Sequence, residues 1–236
     1  MQLKRKPDRT MLMMALTLTT GMIEAVSFIA LGPAFTAVQT GNTLFLAFAL
    51  GGTPGMAVWP PVASLCGFAA GAVIAARLES RMDIEGRRWY VLSLVAEAVL
   101  LAVAGLVAWE LEPFGAPLTA RHYAVIALVA VAMGMRNVTM LRAPVPDMST
   151  TVLTRSMTAL LGGSSLGRDT RIPSGAVHTA RRAATVGTMI MGGLLGAWML
   201  HENVRAPVVL LIVAGCVLAV ASAACFVPRV NAPESG

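Results

Sequence analysis

The chain has 236 residues, of which 56% are hydrophobic and 13% charged, with a mean hydropathy of +0.73 and a formal net charge of +6. Soluble domains carry about 25% charged residues, so the composition excludes a soluble globular protein and points to an all-α integral membrane protein in a lipid bilayer. The positive balance is no nucleic-acid signal, because basic residues at helix ends are ordinary orientation determinants.

The opening "MQLKRKPDRT" has the charge of a secretory leader. The apolar run behind it is long, holds Glu24 and lacks an A-x-A cleavage site, so it reads as a retained first helix. Six segments approach the ~20 apolar residues that cross a bilayer as a helix: 10–32, 57–77, 89–109, 121–142, 180–200 and 206–227. Two more, 34–52 and 144–163, are apolar but broken. Each has a proline at its start (Pro33 just before the first, Pro144 opening the second) and ends in Gly-Gly (Gly51-Gly52, Gly162-Gly163). They are either two further short spans or segments that enter the membrane and return. Cys66, Cys216 and Cys225 all lie in apolar runs and suggest neither a disulfide nor a metal site.

The basic residues decide between six and eight spans. With eight, Lys and Arg divide almost evenly across the membrane. With six spans and a cytoplasmic N-terminus, thirteen of the 18 fall on the cytoplasmic side and only Arg121 and Arg205 fall outside. The positive-inside rule therefore selects six spans plus two re-entrant segments, with both termini cytoplasmic.

The halves also echo one another. "GMIEAVSF" (21–28) aligns with "GMRNVTML" (134–141), placing Glu24 against Asn137. "QTGNTLFLAFALGG" (39–52) then matches "TTVLTRSMTALLGG" (150–163). Glycine-rich spans follow, with Gly67-x-x-x-Gly71 in one half and Gly192-x-x-x-Gly196 in the other. The predicted repeats cover 10–112 and 120–229. Each holds three spans, and an odd number inserts the second upside down, the arrangement of secondary transporters with a midplane site at broken helices.

Irregular backbone survives at membrane depth only where protein or water covers its polar groups. Pro33 and Gly41 favour a break, and Thr40 and Asn42 are suited to cap the half-helix that follows. In the second half, Pro144 and Pro146 interrupt the chain, and Asp147 or Ser149 is suited to cap the next half-helix. Plain capping accounts for these residues without any solute; two half-helix starts facing one another would make a small polar site. The first half would contribute Glu24, Gln39, Thr40 and Asn42. The second would contribute Arg136, Asn137, Asp147, Thr150, Thr151 and Thr154.

Glu24 lies near the centre of the first span, where a charge costs about 2.5–3.5 kcal/mol on insertion scales. It should face the bundle interior, either paired with Arg136 as a structural contact or serving as a proton- or cation-coupling carboxylate. Glu97 reads as a buried interhelical contact, and Arg155 as an anion attractor or an interfacial snorkel. An enzyme is not expected: His122, His178 and His201 sit near span ends, and no HExxH, GxSxG or nucleotide loop occurs. No cofactor or metal is implied.

The segments "TGMIEAVSFIALGPAFTAVQTGN" (20–42), "MGMRN" (133–137) and "PDMSTTVLT" (146–154) resemble the YoaK family, bacterial inner-membrane proteins built around a domain of unknown function. The resemblance covers nearly the whole chain and implies a bacterial inner membrane. It departs at two positions, where Asp is expected in place of Glu24 and Gln in place of Arg136; a joint change would bring the two into contact. The reading favoured is a small secondary transporter or permease for a small polar solute, an anion among the candidates. A passive channel and a non-transporting scaffold or sensor are the alternatives. A homodimer is compatible with so small a chain.

Overall fold

The structure, a computed structural model, describes residues 9–111, 117–143, 153–164, 167, 172–173, 175 and 176–227. Among these the regular structure is helical throughout, and six helices are long and apolar enough to cross a membrane. The first, α1 (Arg9–Val26), continues into a π-helical turn, Ser27–Leu31. It stops at Gly32, whose φ of 137° suits a residue without a side chain, and at Pro33, which cannot donate to a helix. The next three helices are α2 (Gln39–Leu50), α3 (Trp59–Ile84) and α4 (Trp89–Val107). The second half holds α5 (Ala120–Arg142), α6 (Leu153–Gly162), α7 (Ala176–His201) and α8 (Ala206–Ala224).

The six long helices fall where hydropathy places the spans. The two broken segments contain only short helices, of 12 residues in α2 and 10 in α6. At 1.5 Å per residue these reach roughly 15–18 Å, about half of a ~30 Å hydrocarbon core.

The ends follow local chemistry. Pro60 and Pro61 open α3 and Pro207 opens α8, where the first turn has no need of their missing N–H groups. At the start of α5 the Thr119 amide donates to His122 Nδ1 at 3.1 Å.

The helices pack in the succession α2, α3, α5, α4, α8, α1, α7, α6. Exchanging each helix of the first half with its counterpart in the second reverses this order and leaves it unchanged. The spans therefore pack chiefly across the halves rather than within them. The apolar core lies between α1, α4, α5 and α8, around residues such as Ile23, Leu101, Ile126, Val129, Leu210 and Val213, all fully enclosed.

The two most extensive pairs, α3 with α5 and α1 with α7, are seated on glycine. A Cβ on Gly134 of α5 would come under 3 Å from the backbone of Phe68 and Ala72 in α3. A Cβ on Gly21 of α1 would meet the corresponding atoms, Met189 O and Gly193 N, in α7. Gly71 likewise lies against Val131, and Gly192 against Leu18, one turn before those two glycines. Gly71 thus corresponds to Gly192, so the two GxxxG motifs are offset by one turn rather than aligned motif to motif.

Such contacts leave no room for a methyl group unless the helices separate. Gly134→Ala should destabilise the folded protein by about 1–3 kcal/mol, the usual effect of overpacking. Gly187→Ala, where a Cβ meets nothing within 4 Å, should leave the melting temperature unchanged or slightly raised. Thermal unfolding of the two variants in detergent checks both.

Candidate functional site

The joint between α1 and α2 is the irregular stretch 32–38, and side chains from three helices satisfy its backbone. From the π turn, Ser27 Oγ donates to Ala34 O at 2.8 Å. From α2, Asn42 grips Phe35 on both sides: its Oδ1 accepts the Phe35 amide at 2.9 Å and its Nδ2 donates to Phe35 O at 2.6 Å. From α3, Ser64 Oγ donates to the same carbonyl at 2.5 Å. Gln39 closes the network, donating to Thr36 O at 2.8 Å and accepting from Asn42 Nδ2 at 2.7 Å.

The donors of Thr36 and Ala37 go to Glu24. Its Oε1 accepts the Ala37 amide at 2.6 Å, the Thr36 amide at 3.1 Å and the Thr36 hydroxyl at 3.2 Å. Oε2 is enclosed and has no hydrogen-bond partner among the described residues. Phe28, Phe35 and Phe45 stack beside this joint, with the first two ring centroids 5.0 Å apart.

This geometry revises several sequence-based expectations. Glu24 does not pair with Arg136. Arg136 is fully buried and bound to Glu97, which accepts from both Nε, at 2.9 Å, and Nη2. Its Nη1 is shared among Leu16 O and the hydroxyls of Thr19 and Thr20, at 2.8–3.1 Å. The two threonines point their own hydroxyl protons at Leu16 O, which leaves their lone pairs for the guanidinium. Arg136 thus ties α5 to α1 and α4. The expected interhelical role of Glu97 holds, with Arg136 as its partner.

Thr40 and Asn42 do not cap α2 either. The helix begins at Gln39 behind Val38, which makes no side-chain cap; Thr40 is exposed, while Asn42 is buried and reaches back to the loop from within the helix. Asn137 is half-buried on α5 and donates to Met133 O. Thr154 is exposed on α6, as is Arg155. Asp147, Ser149, Thr150 and Thr151 lie outside the described residues. The structure therefore brings Glu24, Gln39 and Asn42 together, and separately builds Arg136 into the core.

Sequence reasoning missed Ser27, Thr36 and Ser64, whose only signal is a small hydroxyl inside or beside an apolar run. It also missed a third buried carboxylate, Glu79 of α3. Ser93 of α4 donates to Glu79 Oε1 at 2.6 Å, and Thr139 of α5 donates to the same oxygen. Arg142 stands 3.6 Å from Glu79 Oε2, binds Asp83 at 2.8 Å and lies over the Trp89 ring. The i, i+4 placement of Glu79 and Asp83 with a basic helix end was the available signal.

The family model described as "Protein of unknown function (DUF1275)" matches residues 12–223. The chain belongs to the DUF1275 family. It is also 29% identical over 153 residues to the UPF0700 transmembrane protein YoaK of Bacillus subtilis (strain 168), a match spanning 65% of this chain and 66% of that protein, just under two thirds of its length. No solved structure matches. The DUF1275 match takes in every described element of the α1–α2 joint and the Arg136–Glu97 pair.

A buried ion pair broken on one side leaves an uncompensated charge, a loss of about 3–5 kcal/mol. Glu97→Gln should therefore destabilise the protein strongly, and adding Arg136→Gln should recover most of the loss. Arg136→Gln should give no such recovery to Glu24→Gln. A thermal-unfolding cycle on the purified variants measures both couplings.

Proposed function

We propose that this DUF1275 protein is a small secondary transporter or permease for a small polar solute. The observation that carries the reading is the broken joint that follows the first span. α1 opens into a π turn, the chain runs irregularly through 32–38, and a half-length helix follows, with buried polar groups from α1, α2 and α3 holding the joint. Interrupted helices lined by polar groups mark solute sites in transporters. π turns also concentrate at functional sites.

The exchange symmetry of the packing supports a 3+3 inverted repeat. Long helices pack across the halves in matching pairs, and α2 and α6 are both short and seated on the second long helix of their own halves. Two halves that rock about the shared α4–α8 contact would expose the joint to each side in turn. Arg136, the cation among the described site residues, is consumed by Glu97 and α1, which weighs against an anion as the solute.

Purified protein in proteoliposomes, offered a panel of radiolabelled small amines, amino acids, polyols and organic acids, tests the reading. Saturable uptake that Asn42→Ala abolishes is expected. Non-saturating flux would make the protein a channel, and no flux of any class would leave a scaffold. The orientation, both termini cytoplasmic in a bacterial inner membrane, has its own check. In a cysteine-free background, Glu85→Cys in the exposed α3–α4 turn should react with membrane-impermeant maleimide only from the cytoplasmic side. Labelling from the periplasm would contradict the orientation.

A further inference from the structure

Three glutamates are buried among the described helices, and they differ in their compensation. Glu97 is neutralised by Arg136. Glu79 faces Arg142 across 3.6 Å. Glu24 has no cationic partner among the described residues, and all three of its donors fall on one oxygen.

The elements around Glu24 supply no countercharge. α7 meets α1 at this level through Gly196, which touches Met22 and Ala25. The charged and titratable residues of α7 lie at its ends: His178, Arg181 and Arg182 at one, and His201 at the other, with Glu202 just beyond it. α8 has no charged or titratable side chain other than Cys216, and α2 has none at all. On α5, which packs against the π turn, Arg136 is directed to Glu97.

We infer that Glu24 Oε2 is a proton-binding site, and that it is the group through which transport is coupled to a proton gradient. The division of the hydrogen bonds is that of a carboxylic acid. Oε1 acts as the carbonyl oxygen, accepting from two amides and a hydroxyl. Oε2 carries the proton, taken from water as the O–H bond forms and returned to water as it breaks. A metal cation fits less well, because it needs several oxygen or nitrogen ligands and no cluster of acidic, histidine or cysteine side chains gathers there among the described residues. Losing the proton leaves a bare charge on the enclosed oxygen and favours opening of 32–38 towards water. Regaining it favours the closed joint seen here. The coupling role rests on the transport reading, whereas the proton site itself can be measured without any solute.

Infrared difference spectra of the whole protein in lipid nanodiscs, recorded from about pH 5 to pH 9, a range that buried glutamates are known to reach, test the site. A protonated-carboxyl C=O band is expected to fade as pH rises and to be lost in Glu24→Gln. Thr36→Val removes one donor from Oε1 and so weakens the ionised form; the midpoint of the same band should move to higher pH, which keeps the inference testable if Glu24→Gln fails to fold. Identical spectra for wild type and Glu24→Gln, or an unmoved midpoint in Thr36→Val, overturn the proton site and leave the transport reading intact. A Glu24 band in a protein that moves no solute leaves the site in place and removes its coupling role.

Discussion

A chain that leaves helical geometry inside a membrane must find a partner for every backbone donor and acceptor it frees, since hydrocarbon offers none. Residues 32–38 leave helical geometry between α1 and α2, and their backbone accounts for the buried polar groups Glu24, Ser27, Gln39, Asn42 and Ser64. Glu24 takes the amides of Thr36 and Ala37, Asn42 takes both sides of Phe35, and Ser27 and Ser64 take carbonyls. Gly32 and Pro33 end the first helix, and the buried carboxylate and hydroxyls satisfy backbone groups that the break frees.

The surrounding helices give that joint a frame with two matched sides. Gly134 against α3 and Gly21 against α7 are the same close approach repeated, each made possible by the absence of a side chain. The polar contents of the two sides differ: sequence alignment sets Glu24 against Asn137, which donates to Met133 O.

Much of the fold was legible in the sequence because lipid imposes a length and a polarity on every span. The six spans and the two short segments follow from hydropathy alone. The site was less legible, for geometric reasons. Glu24 and Asn42 stood out as polar residues in apolar surroundings. Their partners are backbone amides and small hydroxyls such as Thr36 and Ser64, which carry no signature of their own. The pairing of Arg136 was misjudged because sequence alignment brings Glu24 near it, whereas its guanidinium points to Glu97 on α4. A register that depends on which face of α5 meets α4 is set by helix packing, and no local pattern reports it.

The account stands on the claim that buried side chains hold the α1–α2 joint closed inside the bundle. Hydrogen–deuterium exchange of the protein in nanodiscs, followed by mass spectrometry of peptides covering 32–38, measures this directly. Slow exchange is expected at Phe35, Thr36 and Ala37 in the wild type, becoming fast in Glu24→Ala and in Asn42→Ala while α4 and α8 stay protected. Fast exchange of these amides in the wild type would mean that water, not Glu24 and Asn42, satisfies the joint, and would contradict the account.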